Sequence, residues 1–247
     1  MIFSLVCCAI VSYLIGNINW ALLISKLKKS DIRKLGSGNP GTLNMSRNFG
    51  LKIGLLTFFL DISKGAICSI VAFFIFRNYY FECGFRVSDF AIYLCGLCAV
   101  LGHIYPVFLK FKGGKGIAST IGVFLVCESV SGWEWAMVSL MAVVAALVFI
   151  YFTEFGAMGS FIAITPPAIS GLIRLFLHYG NDVMHIPSMH IVTNLIILTI
   201  YFLTWFAHRS NIERMLKGEE HPTSIKEMVV KMKAKKLEEK AKKEKNS

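Results

Sequence analysis

Three stretches carry residue types and spacings suited to holding and moving anions. The first is Gly113-Gly114-Lys115-Gly116, which follows Lys110 and Lys112 and runs into apolar sequence at Ile117. A glycine-rich turn entering a helix aims free N–H groups and the positive end of the helix dipole at one spot. Lys115 stands beside that spot, and Ser119 and Thr120 fall in the first helical turn. This is a phosphate cradle by chemistry. It is not a Walker A loop, because the G-x-x-x-x-G-K-[ST] spacing fails and no strand precedes it. The plainer reading is a flexible loop with topological lysines.

The second stretch is Gly36-Ser37-Gly38-Asn39-Pro40-Gly41, too broken for a helix, with Asn44, Ser46 and Arg47 following. Such loops expose backbone N–H groups, and an arginine fork suits phosphate. Its plainer reading is a polar turn between helices. In the third stretch, His208 and Asn211 are three apart and share a face of a continuing helix, with Arg209 and Arg214 nearby. Histidine can accept or donate a proton near neutral pH; the plainer reading is a basic helix-end anchor. Tyr151 to Ser160, with Thr153, Glu154 and Gly156, is a weaker fourth cluster, in which Glu154 could simply pair with a lysine.

These clusters need a scaffold, and the composition says which kind. Hydrophobic residues make up 55% of the 247 and charged residues 17%, with a mean hydropathy of +0.60. That excludes an ordinary soluble domain. The continuous apolar runs predict an all-α, polytopic membrane bundle, since barrel strands would alternate. Seven spans are expected: Ile2 to Ile24, Leu51 to Phe76, Val87 to Leu109, Ile117 to Val130, Trp133 to Phe152, Phe155 to Leu177 and His190 to His208. The fourth is short enough to be tilted or partly re-entrant. The first is too long for a signal peptide and lacks a basic start and a cleavage site.

Lysines and arginines crowd the connections after spans one and three, and twelve follow His208. The opposite connections hold Arg77, Arg86, Glu82, Asp89, Glu128, Glu134 and Asp182. The positive-inside rule then places the N-terminus outside and the C-terminus in the cytoplasm, with all four clusters on the cytoplasmic face. The net charge of +11 forms a layer against anionic headgroups. Asp61 and Lys64, i and i+3 inside span two, should pair or face the bundle interior. Residues 1–220 form the membrane domain. Residues 221–247 form a basic cytoplasmic tail: a capping box at Ser224 and Glu227, an amphipathic helix bearing Ile225, Met228, Val229 and Met232, and a fraying end past Lys233. The cysteines read as packing residues. No metal site, cofactor or nucleic-acid partner is expected.

At these motifs the sequence resembles the bacterial acyl-phosphate:glycerol-3-phosphate acyltransferases. "GSGNPGTLN", "GHIYPVFLKFKGGKGIAST" and "HRSNIERMLKGEE" resemble the family's three cytoplasmic signatures, in order, and "LDISKG" matches a further family feature. The resemblance extends to about Glu220. Three positions depart from the pattern: Thr42-Leu43-Asn44 for the usual Ala-Thr-Asn, Glu154 for a serine, and Ala207 for an arginine.

The resemblance implies a seven-span enzyme of the cell's inner or plasma membrane with its site facing the cytoplasm. It implies transfer of a fatty acyl group from acyl phosphate to the 1-hydroxyl of glycerol 3-phosphate, giving lysophosphatidate and inorganic phosphate. It also implies a functional link to the enzyme that makes acyl phosphate from acyl-carrier protein. On this reading His208, Asn211, Ser37 and Lys115 serve the reacting centre. Arg47, Gly113, Gly114, Lys115, Gly116 and Ser37 hold phosphate, and Asn39, Asn44 and Thr153 orient substrate. His208 orients the hydroxyl or takes its proton, a substrate phosphate being the other candidate base. The rival class is a small-anion transporter or channel with a basic cytoplasmic vestibule.

Overall fold

The computed structural model describes residues 1–180, 188–220, 222–230, 232–234 and 237. Asp182 and the stretch beyond Leu237 lie outside the described residues. Among the described residues ten α-helices follow one another ahead of the tail: α1 Ile2–Gly16, α2 Trp20–Leu27, α3 Thr42–Phe49, α4 Leu51–Phe76, α5 Val87–Ile104, α6 Ile117–Ser129, α7 Trp133–Thr153, α8 Gly156–Tyr179, α9 Ser188–Ala207 and α10 Arg209–Leu216; residues 225–230 are helical as well. The described residues form no strand beyond an isolated bridge between Tyr80 and Arg86.

Among the described residues, six segments are long and apolar enough to cross a membrane. The seventh apolar helix, α6, has 13 residues and rises only about 20 Å. The expected first span is not one rod. Asn17 donates back to the Tyr13 carbonyl at 2.6 Å, and Asn19 accepts the Leu22 N–H at 2.9 Å. This side-chain cap restarts the helix at Trp20 and frees the Ile18 carbonyl. The expected third span also ends early. Pro106 biases Tyr105 away from helical geometry, so α5 stops at Ile104 and a 3₁₀ turn, Val107–Leu109, follows.

Helix α5 is the central element. Ala91, Ile92, Tyr93, Cys95, Ala99 and Val100 are fully buried along it, as expected of a helix apolar all round. Small residues let its neighbours come close: a side chain at Gly65 of α4 would strike the Ser119 backbone of α6, and one at Gly122 would strike the Ile62 backbone.

Glu128, expected in an outer connection, lies inside α6 and is fully buried. Ser139 of α7 and Ser170 of α8 both donate to its carboxylate. The sequence position looked terminal, but two serines from later helices make an interior seat for it. Asp89, also expected outside, is buried and accepts the Tyr179 hydroxyl at 2.6 Å.

Candidate active site

All four expected clusters meet at one end of the bundle, where α5 ends and α6, α8 and α10 begin. Gly116 is left-handed, with φ of 85°, and caps α6. The N–H groups of Ile117, Ala118 and Ser119 then have no helical acceptor. One expectation is corrected. The N–H groups of Gly113 and Gly114 are not free, because they donate to the last α5 carbonyls, Ile104 and His103, at 3.1 Å each. What Gly114 provides is room: a Cβ there would strike the His103 imidazole.

That imidazole rests on a buried ionic group. Lys64 Nζ lies 2.9 Å from Asp61 Oδ1 and 2.5 Å from His103 Nδ1. It also donates to the freed Ile18 carbonyl at 2.9 Å. Asp61, Lys64 and His103 are each at most 5% exposed. The i, i+3 pair was legible in sequence, but the third member was not, because His103 lies on another helix. The group supports the underside of the glycine loop.

Lys115 donates from Nζ to the Asn211 side-chain oxygen. Asn211 Nδ2 donates in turn to Glu220 Oε1 at 2.6 Å, and Arg214 Nε donates to Glu220 Oε2 at 3.1 Å. Burial pushes the Lys115 ammonium down to about 8, and the Glu220 carboxylate offsets part of this. Glu220 reaches the site because α10 stops and Gly218, with φ of 71°, reverses the chain. A glycine just past a helix end was the available signal.

His208 is not inside a continuing helix. It is the hinge between α9 and α10, with φ −95° and ψ 4°. It still holds Asn211 close, since the Asn211 N–H donates to the His208 carbonyl at 2.8 Å. Its Nδ1–H donates to the Thr204 carbonyl at 2.8 Å, which leaves the lone pair on Nε2. Burial, then the Lys115 charge, lowers its pKa to about 4, so the ring is neutral at physiological pH.

The first cluster is built around Asn44, which is buried and committed to the loop. Its amide donates to the Leu35 and Asn39 carbonyls at 2.9 and 3.1 Å, and its oxygen accepts the Ser37 N–H at 3.2 Å. Asn44 thus shapes the loop that carries Ser37 and Asn39. Ser37 is exposed and Asn39 half-buried. Arg47, one turn on, donates to Thr223 Oγ1 and to the Pro222 carbonyl at 3.2 Å. Thr153 is exposed and engaged locally: its hydroxyl donates to the Phe149 carbonyl at 2.8 Å and accepts the Phe155 N–H at 3.3 Å. Thr153, Glu154, Phe155, Met215, Gly218, Glu220 and Pro222 line a cavity of ≈ 250 Å³.

The arrangement presents two cations, a neutral imidazole with an open lone pair, and a helix N-terminus beside an apolar bundle. That is the equipment for binding phosphate groups carried by an amphiphile.

The chain is similar to known proteins over most of its length. The family model described as glycerol-3-phosphate acyltransferase matches residues 6–218. Glycerol-3-phosphate acyltransferase of Mycoplasmopsis pulmonis is 37% identical over 210 residues, 85% of this chain and 88% of that one. The enzyme of the same name from Finegoldia magna is 36% identical over 87% of this chain and 94% of its own. Among solved structures, the glycerol 3-phosphate form of PlsY, an integral membrane glycerol 3-phosphate acyltransferase, is similar with a TM-score of 0.70 and 32% identity. That match covers 92% of this chain and 98% of the other. The lysophosphatidic acid form matches with a TM-score of 0.69.

Proposed function

This chain belongs to the glycerol-3-phosphate acyltransferase family, a family of integral membrane acyltransferases, and from that premise we propose its reaction: a fatty acyl group moves from acyl phosphate to the 1-hydroxyl of glycerol 3-phosphate. The products are 1-acylglycerol 3-phosphate and inorganic phosphate. The observation that carries this reading is the junction of Lys115, Asn211 and His208, which joins the glycine loop to the start of α10.

Both substrates bear phosphate, and the donor is a mixed anhydride that arrives activated. The protein therefore needs no nucleophile of its own. It must bring two anions together, orient a hydroxyl and stabilise the phosphate that leaves. Lys115 and the α6 N–H groups hold one phosphate, and Arg47 holds the other, with Ser37 on the loop beside it. Asn211, fixed by Glu220, orients Lys115 and the glycerol.

His208 Nε2 accepts a hydrogen bond from the attacking hydroxyl. A nitrogen that protonates near 4 is a weak base, whereas a phosphate dianion protonates near about 6. The hydroxyl oxygen bonds to the acyl carbon, the acyl carbon–phosphate oxygen bond breaks, and the departing phosphate takes the proton.

In this proposal the protein is a multi-pass protein of the cell membrane, with the N-terminus outside and the site facing the cytoplasm. An enzyme that makes acyl phosphate from acyl-carrier protein supplies its donor. The test is release of inorganic phosphate by purified protein given palmitoyl phosphate, with and without glycerol 3-phosphate, beside Lys115→Ala. Release that requires glycerol 3-phosphate and collapses in the variant is expected; glycerol-independent release, or an unaffected variant, overturns the reading.

A further inference from the structure

The family match stops at residue 218, yet the next few residues return into the site. Thr223 is 1% exposed. Its N–H donates to the Glu154 carbonyl at 2.8 Å, and Arg47 Nη2 grips both its hydroxyl and the preceding Pro222 carbonyl. It also sits against Gly156, the first residue of the 24-residue helix α8: a Cβ added to Gly156 would lie 2.8 Å from Thr223 Oγ1. The hydroxyl therefore occupies the gap between a guanidinium and a helix N-terminus whose first N–H groups have no helical acceptor.

In the Arg47 contact the threonine oxygen is the acceptor. Its own proton has no acceptor among the described residues. A buried hydroxyl normally donates as well as accepts. Here the missing partner is an acceptor, placed where arginine and the α8 dipole both favour negative charge. Thr153, the nearer candidate in sequence, has no donor to offer, because its proton goes to Phe149.

We propose that Thr223, just past the end of the family model's match at residue 218, is a substrate-positioning residue that donates its hydroxyl proton to the phosphate held by Arg47. This rests on the reading of the site as one that binds phosphate substrates. The phosphate is that of glycerol 3-phosphate or of the acyl donor, and the two have the same chemistry.

The test compares the full-length chain with Thr223→Val, which keeps the shape and removes the hydroxyl, and Thr223→Ser, which keeps the hydroxyl. KM is measured for each substrate with the other saturating. Valine is expected to raise one KM by about tenfold or more, the loss of a hydrogen bond to a charged group, with kcat little changed. Serine should restore it. The substrate whose KM moves is the one Arg47 holds. Unmoved KM values overturn the proposal, as does a serine variant no better than valine. A fall in KM would make the segment a strap over the site, and also overturns it.

Thermal stabilisation by inorganic phosphate, which needs no turnover, separates this proposal from the acyl-transfer reading. If the parent chain is inactive but phosphate protects it and not Thr223→Val, the reaction assignment fails and Thr223 stands. Equal protection of parent and valine variant removes Thr223.

Discussion

Lys115 should impose a basic limb on the pH profile of the reaction. Its ammonium titrates near 8 in the empty site, because burial disfavours the charge more than Glu220 restores it. The charged form binds phosphate, so activity on the free enzyme follows the protonated fraction. That fraction is about 0.9 at pH 7 and about 0.1 at pH 9 for a group titrating near 8, so kcat/KM should fall about tenfold between them. A bound phosphate dianion favours the ammonium. The limb in kcat at saturating substrate should therefore lie at higher pH than the limb in kcat/KM. His208 adds no limb above pH 5, since it stays neutral down to about 4.

Lys115→Arg is the control, because a guanidinium keeps its charge throughout this range. Its activity will be lower, as the fork does not fit the Asn211 contact, but the limb near 8 should vanish. The assay is phosphate release from palmitoyl phosphate between pH 6 and 10. A profile flat to pH 10 refutes the reasoning, and so does a limb near 8 that survives in Lys115→Arg.

Gly114→Ala should drive a methyl into the His103 ring, costing about 1–3 kcal/mol of overpacking, read as a raised KM for a phosphate substrate in protein that still purifies folded. Lys64→Met should lower stability by about 3–5 kcal/mol, because it strands the Asp61 carboxylate inside the bundle; adding Asp61→Leu should recover much of the lost Tm in detergent, and failure to recover would show that the pair is not the unit. Cys83 is the one exposed cysteine among the described residues and lies in the connection between α4 and α5. In intact cells a membrane-impermeant maleimide should label it without permeabilisation, whereas labelling only after permeabilisation would reverse the proposed orientation.

Long apolar runs made the spans visible in sequence, and the Asp61–Lys64 spacing made their pairing visible, because both signals are local. The glycine loop before α6 was legible as a turn, but its hydrogen bonding was not. Pro106 marks the end of α5 locally, but nothing local says that the loop folds back so that Gly113 and Gly114 donate to the last α5 carbonyls. The break at Asn17 and Asn19 was hidden inside an apolar run whose average hydropathy outweighs two asparagines. Glu220 reads in sequence only as the last residue of the third signature and Thr223 as surface tail, since nothing local says that Gly218 turns the chain back over Lys115 and Arg47. Glu128 was misplaced for the same reason: its two serine partners belong to helices that sequence order separates from it.

The seat of Glu128 also dictates a timetable. Its two hydroxyl donors are made after it, Ser139 11 residues later and Ser170 42 residues later. At a synthesis rate of about 5–20 residues per second, the second donor emerges roughly 2–8 s behind the carboxylate. During that interval α6 is a short helix whose acidic group lacks both of its donors, and an unpartnered acidic group in an apolar bundle is costly. Helix α6 therefore settles only when α7 and α8 arrive. The glycine loop and Lys115 at its other end wait longer still for their partners, since Asn211 and Glu220 follow α8 in the chain.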